Sequence, residues 1–273
     1  MDLKSIKYAS LSDLVNVDVR LIVLDVDGVL RDYSELMNES LAVGFKKCGL
    51  HYKFDCNNVW HIRGMEKYNS RNSVIKVLIC LSRAEIDLES AIGEYNVQQI
   101  IDRICNDYSS TTDTSLINEI SKKYEEYFRA NMHKIKTIEG SKEAINLLLQ
   151  KCYKIGLLTA SDKESLFEFL KNIGIDKFDV IIAKDDVKIG KPDPEGINKI
   201  ATKLNVKLDN ILFIGDTEVD VLTARNSGVL SGVVLSGMGT KTHLSSLRPD
   251  FIFNNLLDAG KKLGVVCDRL EKT

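Results

Sequence analysis

The segment Leu21-Ile22-Val23-Leu24-Asp25-Val26-Asp27-Gly28 decides the fold class. Four consecutive apolar residues without polar alternation describe a strand buried on both faces, and the acidic pair and glycine behind them describe its exit loop. The same form recurs downstream. Lys154-Ile155-Gly156-Leu157-Leu158 ends at Thr159-Ala160-Ser161, and Phe178–Ala183 ends at Lys184-Asp185-Asp186. Ile211–Ile214 ends at Gly215-Asp216-Thr217, Val229–Leu235 ends at Ser236-Gly237, and Phe251-Ile252-Phe253 is a sixth candidate strand. Helical apolar spacing lies between them: Ala144, Ile145, Leu147, Leu148 and Leu149 before the second strand, Leu166, Phe167, Phe169 and Leu170 after it, and Ile197, Ile200, Ala201 and Leu204 ahead of the fourth. Strands alternating with helices predict an α/β chain with a parallel, three-layer sheet, whose ligands bind beyond the carboxyl ends of the strands.

The stretch from Asp32 to Glu139 breaks this rhythm. It contains no proline and no strand alternation. Val97, Ile100, Ile101, Ile104 and Tyr108 share one helical face, as do Ile117, Ile120, Tyr124, Tyr127 and Phe128. A crossover between neighbouring parallel strands needs only one helix, so the excess predicts an all-helical domain (32–139) inserted into a discontinuous core (1–31 and 140–273). The first ~19 residues form a short extension ahead of the first strand. A chain of 273 residues is long enough for two such domains.

Composition narrows the function. Lys and Arg number 37 against 39 Asp and Glu, a net charge of -2, which argues against a broad nucleic-acid surface. No apolar run approaches the ~20 residues of a membrane span, and the start lacks the apolar stretch of an export signal. The six cysteines form no CxxC pair and fit no zinc template, which predicts reduced thiols in a cytoplasmic protein. His51, His133 and His243 read as surface residues.

The polar residues at the strand ends carry the chemistry. Asp25 and Asp27, two apart, can face the same side of an extended segment. Gly28 permits a sharp turn and leaves room for a ligand. Thr159 offers a hydroxyl, Lys191 in Gly190-Lys191-Pro192-Asp193-Pro194 a fixed cation, and Asp216 and Asp220 two further carboxylates. Carboxylates gathered so closely need a hard divalent cation with oxygen ligands, and Mg²⁺ is the usual one beside phosphates. The layout suits phosphoryl transfer through an aspartyl-phosphate: Asp25 as nucleophile, Asp27 as general acid and then base, and Thr159 and Lys191 on the phosphoryl oxygens.

With these four motifs in order, the chain resembles the haloacid dehalogenase-like superfamily, in its phosphatase branch. The motifs are Asp25-Val26-Asp27-Gly28-Val29-Leu30, Leu157-Leu158-Thr159-Ala160-Ser161, Gly190-Lys191-Pro192-Asp193-Pro194 and Gly215-Asp216-Thr217-Glu218-Val219-Asp220. The resemblance implies a Rossmann-like core and a Mg²⁺ ion held by Asp25, the Asp27 carbonyl, Asp216 and Asp220. It also implies phosphate contacts from Gly28, Thr159, Ala160, Ser161 and Lys191. The helical insert resembles the C1 cap of phosphoglycolate phosphatase-like and β-phosphoglucomutase-like members, which selects the substrate. Within it, Ile62-Arg63-Gly64-Met65-Glu66 is similar to the specificity loop and Ser70-Arg71-Asn72-Ser73 to the polar stretch after it. Arg63, Gly64 and Arg71 are therefore candidate substrate contacts, Arg suiting a carboxylate or second phosphate. The implied partner is a small phosphorylated metabolite, with no nucleic acid or membrane, and the protein is expected to be a monomer or homodimer.

Other readings compete. A sugar phosphomutase would use the same residues, and partition between water and a second hydroxyl separates the two. A receiver-like signalling module would place an acidic pair before the acceptor strand, whereas here the acidic DxD comes first. A non-catalytic binding protein would not need the full acidic set. Gly237-Met238-Gly239-Thr240 lacks the spacing of a nucleotide loop and reads as a turn at a strand end.

Overall fold

The computed structural model describes residues 18–86, 97–108, 113–151, 153–175 and 177–270, the side chains from 265 onward excepted. The expected extension up to residue 17, Cys152 and the side chain of Cys267 lie outside that range. The chain divides into two compact units, one running to Asp32 and resuming at Thr137, the other spanning Tyr33–Lys136.

The first unit is built on six parallel strands: β1 (Leu21–Leu24), β4 (Lys154–Leu158), β5 (Val180–Ile182), β6 (Ile211–Gly215), β7 (Leu230–Val234) and β8 (Phe251–Phe253). Their order is β5-β4-β1-β6-β7-β8. All four residues of β1 are fully buried. That is what an unbroken apolar run between two helical layers requires, each such side chain contributing about 1.5–3 kcal/mol when removed from water. Every strand predicted from the sequence is present. Two more, β2 (Arg31–Asp32) and β3 (Lys136–Thr137), form a separate two-stranded sheet. A two-residue strand has no period to read, so sequence patterning passes over it.

Helices α6 (Ser141–Gln150), α7 (Lys163–Ile173), α8 (Glu195–Leu204), α9 (Glu218–Ser227), α10 (Lys241–Ser246) and α11 (Leu256–Leu270) complete this unit. Phe213, Ile197, Ile200, Leu158 and Ala224 join the strands and helices in one core cluster. The chain winds outward from β1 in both directions, through β4 to β5 and through β6 to β8. The strand order therefore reverses beside β1, where open α/β sheets leave a crevice for ligands. Asp25 and Asp216 follow the two adjacent strands at that point.

The second unit is helical: α1 (Ser34–Lys47), α2 (Cys56–Arg63), α3 (Arg71–Ala84), α4 (Val97–Asp107) and α5 (Thr114–Ala130). The two apolar faces read from the sequence bury Ile101, Ile104, Ile117, Ile120 and Tyr124. Asp55, Ser70 and Asp113 cap α2, α3 and α5, each side chain accepting from backbone amides of the first turn. No helix among the described residues is long and apolar enough to cross a membrane. Cys48, Cys56, Cys80 and Cys105 form no disulfide with one another; Cys80 and Cys105 are buried.

Candidate active site

Asp25 leaves the end of β1 with its amide still bonded to the Ile214 carbonyl at 2.9 Å, so its position is set by β6 as well as β1. The chain then turns sharply: the amides of Val29, Leu30 and Arg31 all point at the Val26 carbonyl. Gly28 has φ of +76°, and a Cβ there would stand 1.9 Å from Asp216 Oδ2. Both the left-handed backbone and the carboxylate behind it require glycine. The Gly28→Ala variant is expected to lose about 1–2 kcal/mol to backbone conformation and to push Asp216 aside. A displacement of that size lowers kcat/KM by roughly 100-fold. Steady-state kinetics with a thermal melt checks both effects.

Lys191 reaches across from the loop ahead of α8. Its Nζ donates to Asp220 Oδ1 at 2.6 Å and stands 3.0 Å from Asp25 Oδ1, all three side chains being buried. Glu195 holds the loop, accepting from the amides of Lys188 and Ile189 at 2.9 Å each, and Asn226 donates to the Pro192 carbonyl. Thr159, buried at the end of β4, accepts from the Ser161 amide at 3.1 Å, while Ala160 beside it is exposed.

Asp216 and Asp220 come from the β6–α9 connection and differ in their surroundings. Asp220 lies in the first turn of α9, and its Oδ2 accepts from the amides of Asp216 and Thr217 and the Thr217 hydroxyl. With Oδ1 given to Lys191, both its oxygens have protein partners. Asp216 is fully buried, and its Oδ2 accepts from the Met238 amide at 2.6 Å. Its Oδ1 has no hydrogen-bond partner among the described residues. The Gly237-Met238-Gly239 turn wraps this carboxylate: a Cβ on Gly237 would lie 2.1 Å from Asp216 Oδ2, and the Gly239 amide donates to the Asp216 carbonyl. Sequence reading made this segment an ordinary turn. Its role is carried by backbone amides, which leave no residue-type signal beyond the two glycines.

Asp25, Asp216 and Asp220 each bring an oxygen within 4.8 Å of the others. Burial pushes the Asp25 carboxyl up to about 7, the Lys191 charge opposing the rise and Asp220 and Asp27 adding to it. Burial also raises Asp216 well above the usual range, reinforced by Asp220 and Asp25. An unpartnered buried oxygen among crowded carboxylates fits a hard divalent cation, which would supply the missing partner and the missing charge.

Asp27 is placed differently. Its Oδ1 accepts from Arg31 Nε and its Oδ2 from the Ser161 hydroxyl at 2.9 Å. Burial would raise its pKa, but the Arg31 charge and these hydrogen bonds together hold it below the ordinary carboxylate value. Arg31 itself was not singled out by sequence reading, because the two serines that hold the rest of its guanidinium lie more than 100 residues away in the chain.

The remaining candidates belong to the helical unit. Gly64 closes α2, its amide bonded to the carbonyls of Trp60 and His61. Arg71, at the start of α3, forms an ion pair with Glu125 and lies 4.6 Å from the Tyr124 ring centroid. Arg63 also bears electrostatically on the Tyr124 phenol. Trp60, Tyr33, Phe128 and Tyr124 form a run of ring contacts beside them. His51 and His133 are exposed, as expected. His243 is instead half-buried and stands 3.3 Å from Glu218.

A family model for the haloacid dehalogenase-like hydrolases matches residues 22–234. Pyrophosphatase PpaX of Halalkalibacterium halodurans is 28% identical over 178 residues, covering 63% of this chain and 83% of that protein. Pyrophosphatase PpaX of Listeria welshimeri is 34% identical over 121 residues, which is 44% of this chain and 56% of that one. The crystal structure of a predicted phosphoglycolate phosphatase from Haemophilus somnus superposes with a TM-score of 0.68 at 19% identity, covering 90% of this chain and 98% of the other. That likeness is one of fold.

Proposed function

The chain belongs to the haloacid dehalogenase-like hydrolases, and from that premise we propose that it hydrolyses a small phosphomonoester through an aspartyl-phosphate on Asp25. The single observation that carries this reading is the buried cluster of Asp25, Lys191, Asp216 and Asp220 at the point where the strand order reverses. An oxygen of Asp25 attacks phosphorus and the ester oxygen departs; water then cleaves the acyl phosphate, returning the carboxylate and releasing phosphate. Asp27 must enter the cycle carrying a proton, against the preference of Arg31 for its carboxylate; it gives that proton to the leaving oxygen and recovers one from the attacking water. Lys191 and Thr159 stabilise the phosphoryl oxygens, helped by the Ala160 and Ser161 backbone, and Gly28 leaves space for them.

Asp25, the Asp27 carbonyl and Asp216 are the residues that would hold Mg²⁺, with Asp220 behind them fixing Lys191 and the start of α9. When bound, the ion shields the anionic substrate from the anionic nucleophile and neutralises charge on the phosphoryl group. Tyr33–Lys136 would serve as the substrate-selecting cap, and Arg63, Gly64 and Arg71 as its contacts with the substrate. Arg71 would exchange Glu125 for a substrate anion.

The names of the PpaX relatives favour inorganic pyrophosphate as a second reading of the same chemistry. A panel of pyrophosphate, phosphoglycolate and sugar phosphates, assayed for phosphate release with Mg²⁺ and with EDTA, decides between them. Release from at least one ester, abolished by EDTA, is the expected result. Release from pyrophosphate alone favours the second reading, and transfer to a second sugar hydroxyl instead of water would make the enzyme a phosphomutase. Full activity in EDTA removes the metal from the scheme.

A further inference from the structure

Arg31 is one of the few charged residues buried in this protein, with 3% of its surface exposed. Its guanidinium is committed on three sides. Nε donates to Asp27 Oδ1, Nη2 to the Ser161 hydroxyl at 2.6 Å, and Nη1 to the Ser165 hydroxyl at 3.2 Å. Ser161 in turn donates to Asp27 Oδ2, closing a ring from Arg31 through Ser161 to Asp27 and back. The outer end of the fork is anchored on a rigid element: Ser165 belongs to α7, and the Phe169 ring one turn further lies 5.7 Å from the guanidinium carbon. One N–H of the rigid fork reaches Asp27 Oδ1 and another holds the Ser161 hydroxyl that donates to Oδ2, so the two contacts together fix the carboxylate plane, which a single ammonium cannot do.

We propose that Arg31 is the positioning residue for Asp27, tying its carboxylate to the Thr159-Ala160-Ser161 loop and to α7 so that it faces the leaving oxygen. The inference rests on the acid–base role proposed for Asp27. Side chains that deliver protons act only from a held geometry. Without Arg31, Asp27 keeps one hydroxyl partner and no fixed plane, and proton delivery suffers while nucleophilic attack by Asp25 does not. Arg31 therefore matters most where the leaving group needs protonation.

The test compares phenyl phosphate, whose phenolate leaves poorly, with p-nitrophenyl phosphate, whose nitrophenolate leaves readily and has nearly the same shape. The ratio of their kcat/KM values is independent of the fraction of enzyme folded, so a purely structural role does not move it. Proton transfer by a positioned group contributes roughly 10²–10⁴-fold. Arg31→Gln is expected to lower kcat/KM for phenyl phosphate about tenfold or more beyond its effect on p-nitrophenyl phosphate. Ser165→Ala shifts the ratio in the same direction by less. Should Arg31→Gln fail to fold, Arg31→Lys carries the same comparison, its ammonium reaching Asp27 without spanning both serines. An equal fall on the two substrates, an unchanged ratio, or a relative gain on phenyl phosphate overturns the proposal. Asp27→Asn is measured alongside. If it retains normal turnover of phenyl phosphate, the acid–base reading itself fails. If that turnover is lost while Arg31→Gln leaves the ratio alone, only the positioning role falls.

Discussion

Asp25→Asn is expected to abolish phosphate release, lowering kcat by at least about 10⁴-fold, the scale on which removing a covalent nucleophile acts. An amide has no anionic lone pair to attack phosphorus, and no other carboxylate stands in its place: Asp216 is turned by the Met238 amide, with its second oxygen reserved for the cation. Asp220 is bound on both oxygens, and Asp27 is held by Arg31 and Ser161. The substitution preserves shape. The new side-chain amide can turn its carbonyl oxygen to Lys191, which keeps its 2.6 Å bond to Asp220. Removing one charge from a buried, crowded site does not weaken the fold. The measurement is turnover on the best substrate of the panel, with a thermal melt showing that the variant is folded. Normal turnover in a folded Asp25→Asn protein would refute the nucleophile assignment.

Asp216→Asn separates cation binding from catalysis without any assay of activity. In the wild-type protein, Mg²⁺ is expected to raise Tm, since a ligand at 100 times its Kd stabilises the folded state by about 2.7 kcal/mol. In chelator, the same site is a burden, because Asp216 Oδ1 is buried without a hydrogen-bond partner among the described residues and faces the carboxylates of Asp25 and Asp220. An isosteric amide keeps an oxygen for the Met238 amide, removes one negative charge and offers an N–H to a neighbouring carboxylate. The variant should therefore melt higher than wild type in EDTA, by on the order of 1–3 kcal/mol, the cost of an unsatisfied buried polar group. It should also lose most of the Mg²⁺-dependent rise. A variant that melts lower in EDTA, or that keeps the full rise, would count against Asp216 as the central ligand.

The legibility of the fold differed from element to element for physical reasons. β1 and β6 were plain because strands covered by helices on both faces bury every side chain, which writes an unbroken apolar run into the chain, and β4 departs from this only at the exposed Lys154 that opens it. Two helices of Tyr33–Lys136, α4 and α5, were plain from faces such as Ile101 and Ile104 or Ile117, Ile120 and Tyr124. β2 and β3 were invisible, each being too short for a pattern. The polar residues of the site could be named from their place after each strand. Their division of labour could not. Asp216 and Asp220 are equivalent as letters, yet one is left with an orphaned oxygen while the other has both oxygens engaged by Lys191 and the first turn of α9.

By itself, the sequence determined that this is a parallel α/β protein, and which carboxylates and threonine follow its strands. Those features follow from local rules, the period of apolar residues and the polar residues that must follow a buried run. Only the tertiary structure decided how those groups are partnered. Arg31 meets Ser161 and the Met238 amide meets Asp216 because the sheet places adjacent strand ends side by side, while Lys191 bridges Asp25 and Asp220 from the long loop ahead of α8. Hydrogen bonds and charge act over a few ångströms of space, whatever the separation along the chain, so the state of each carboxylate is a property of the folded site.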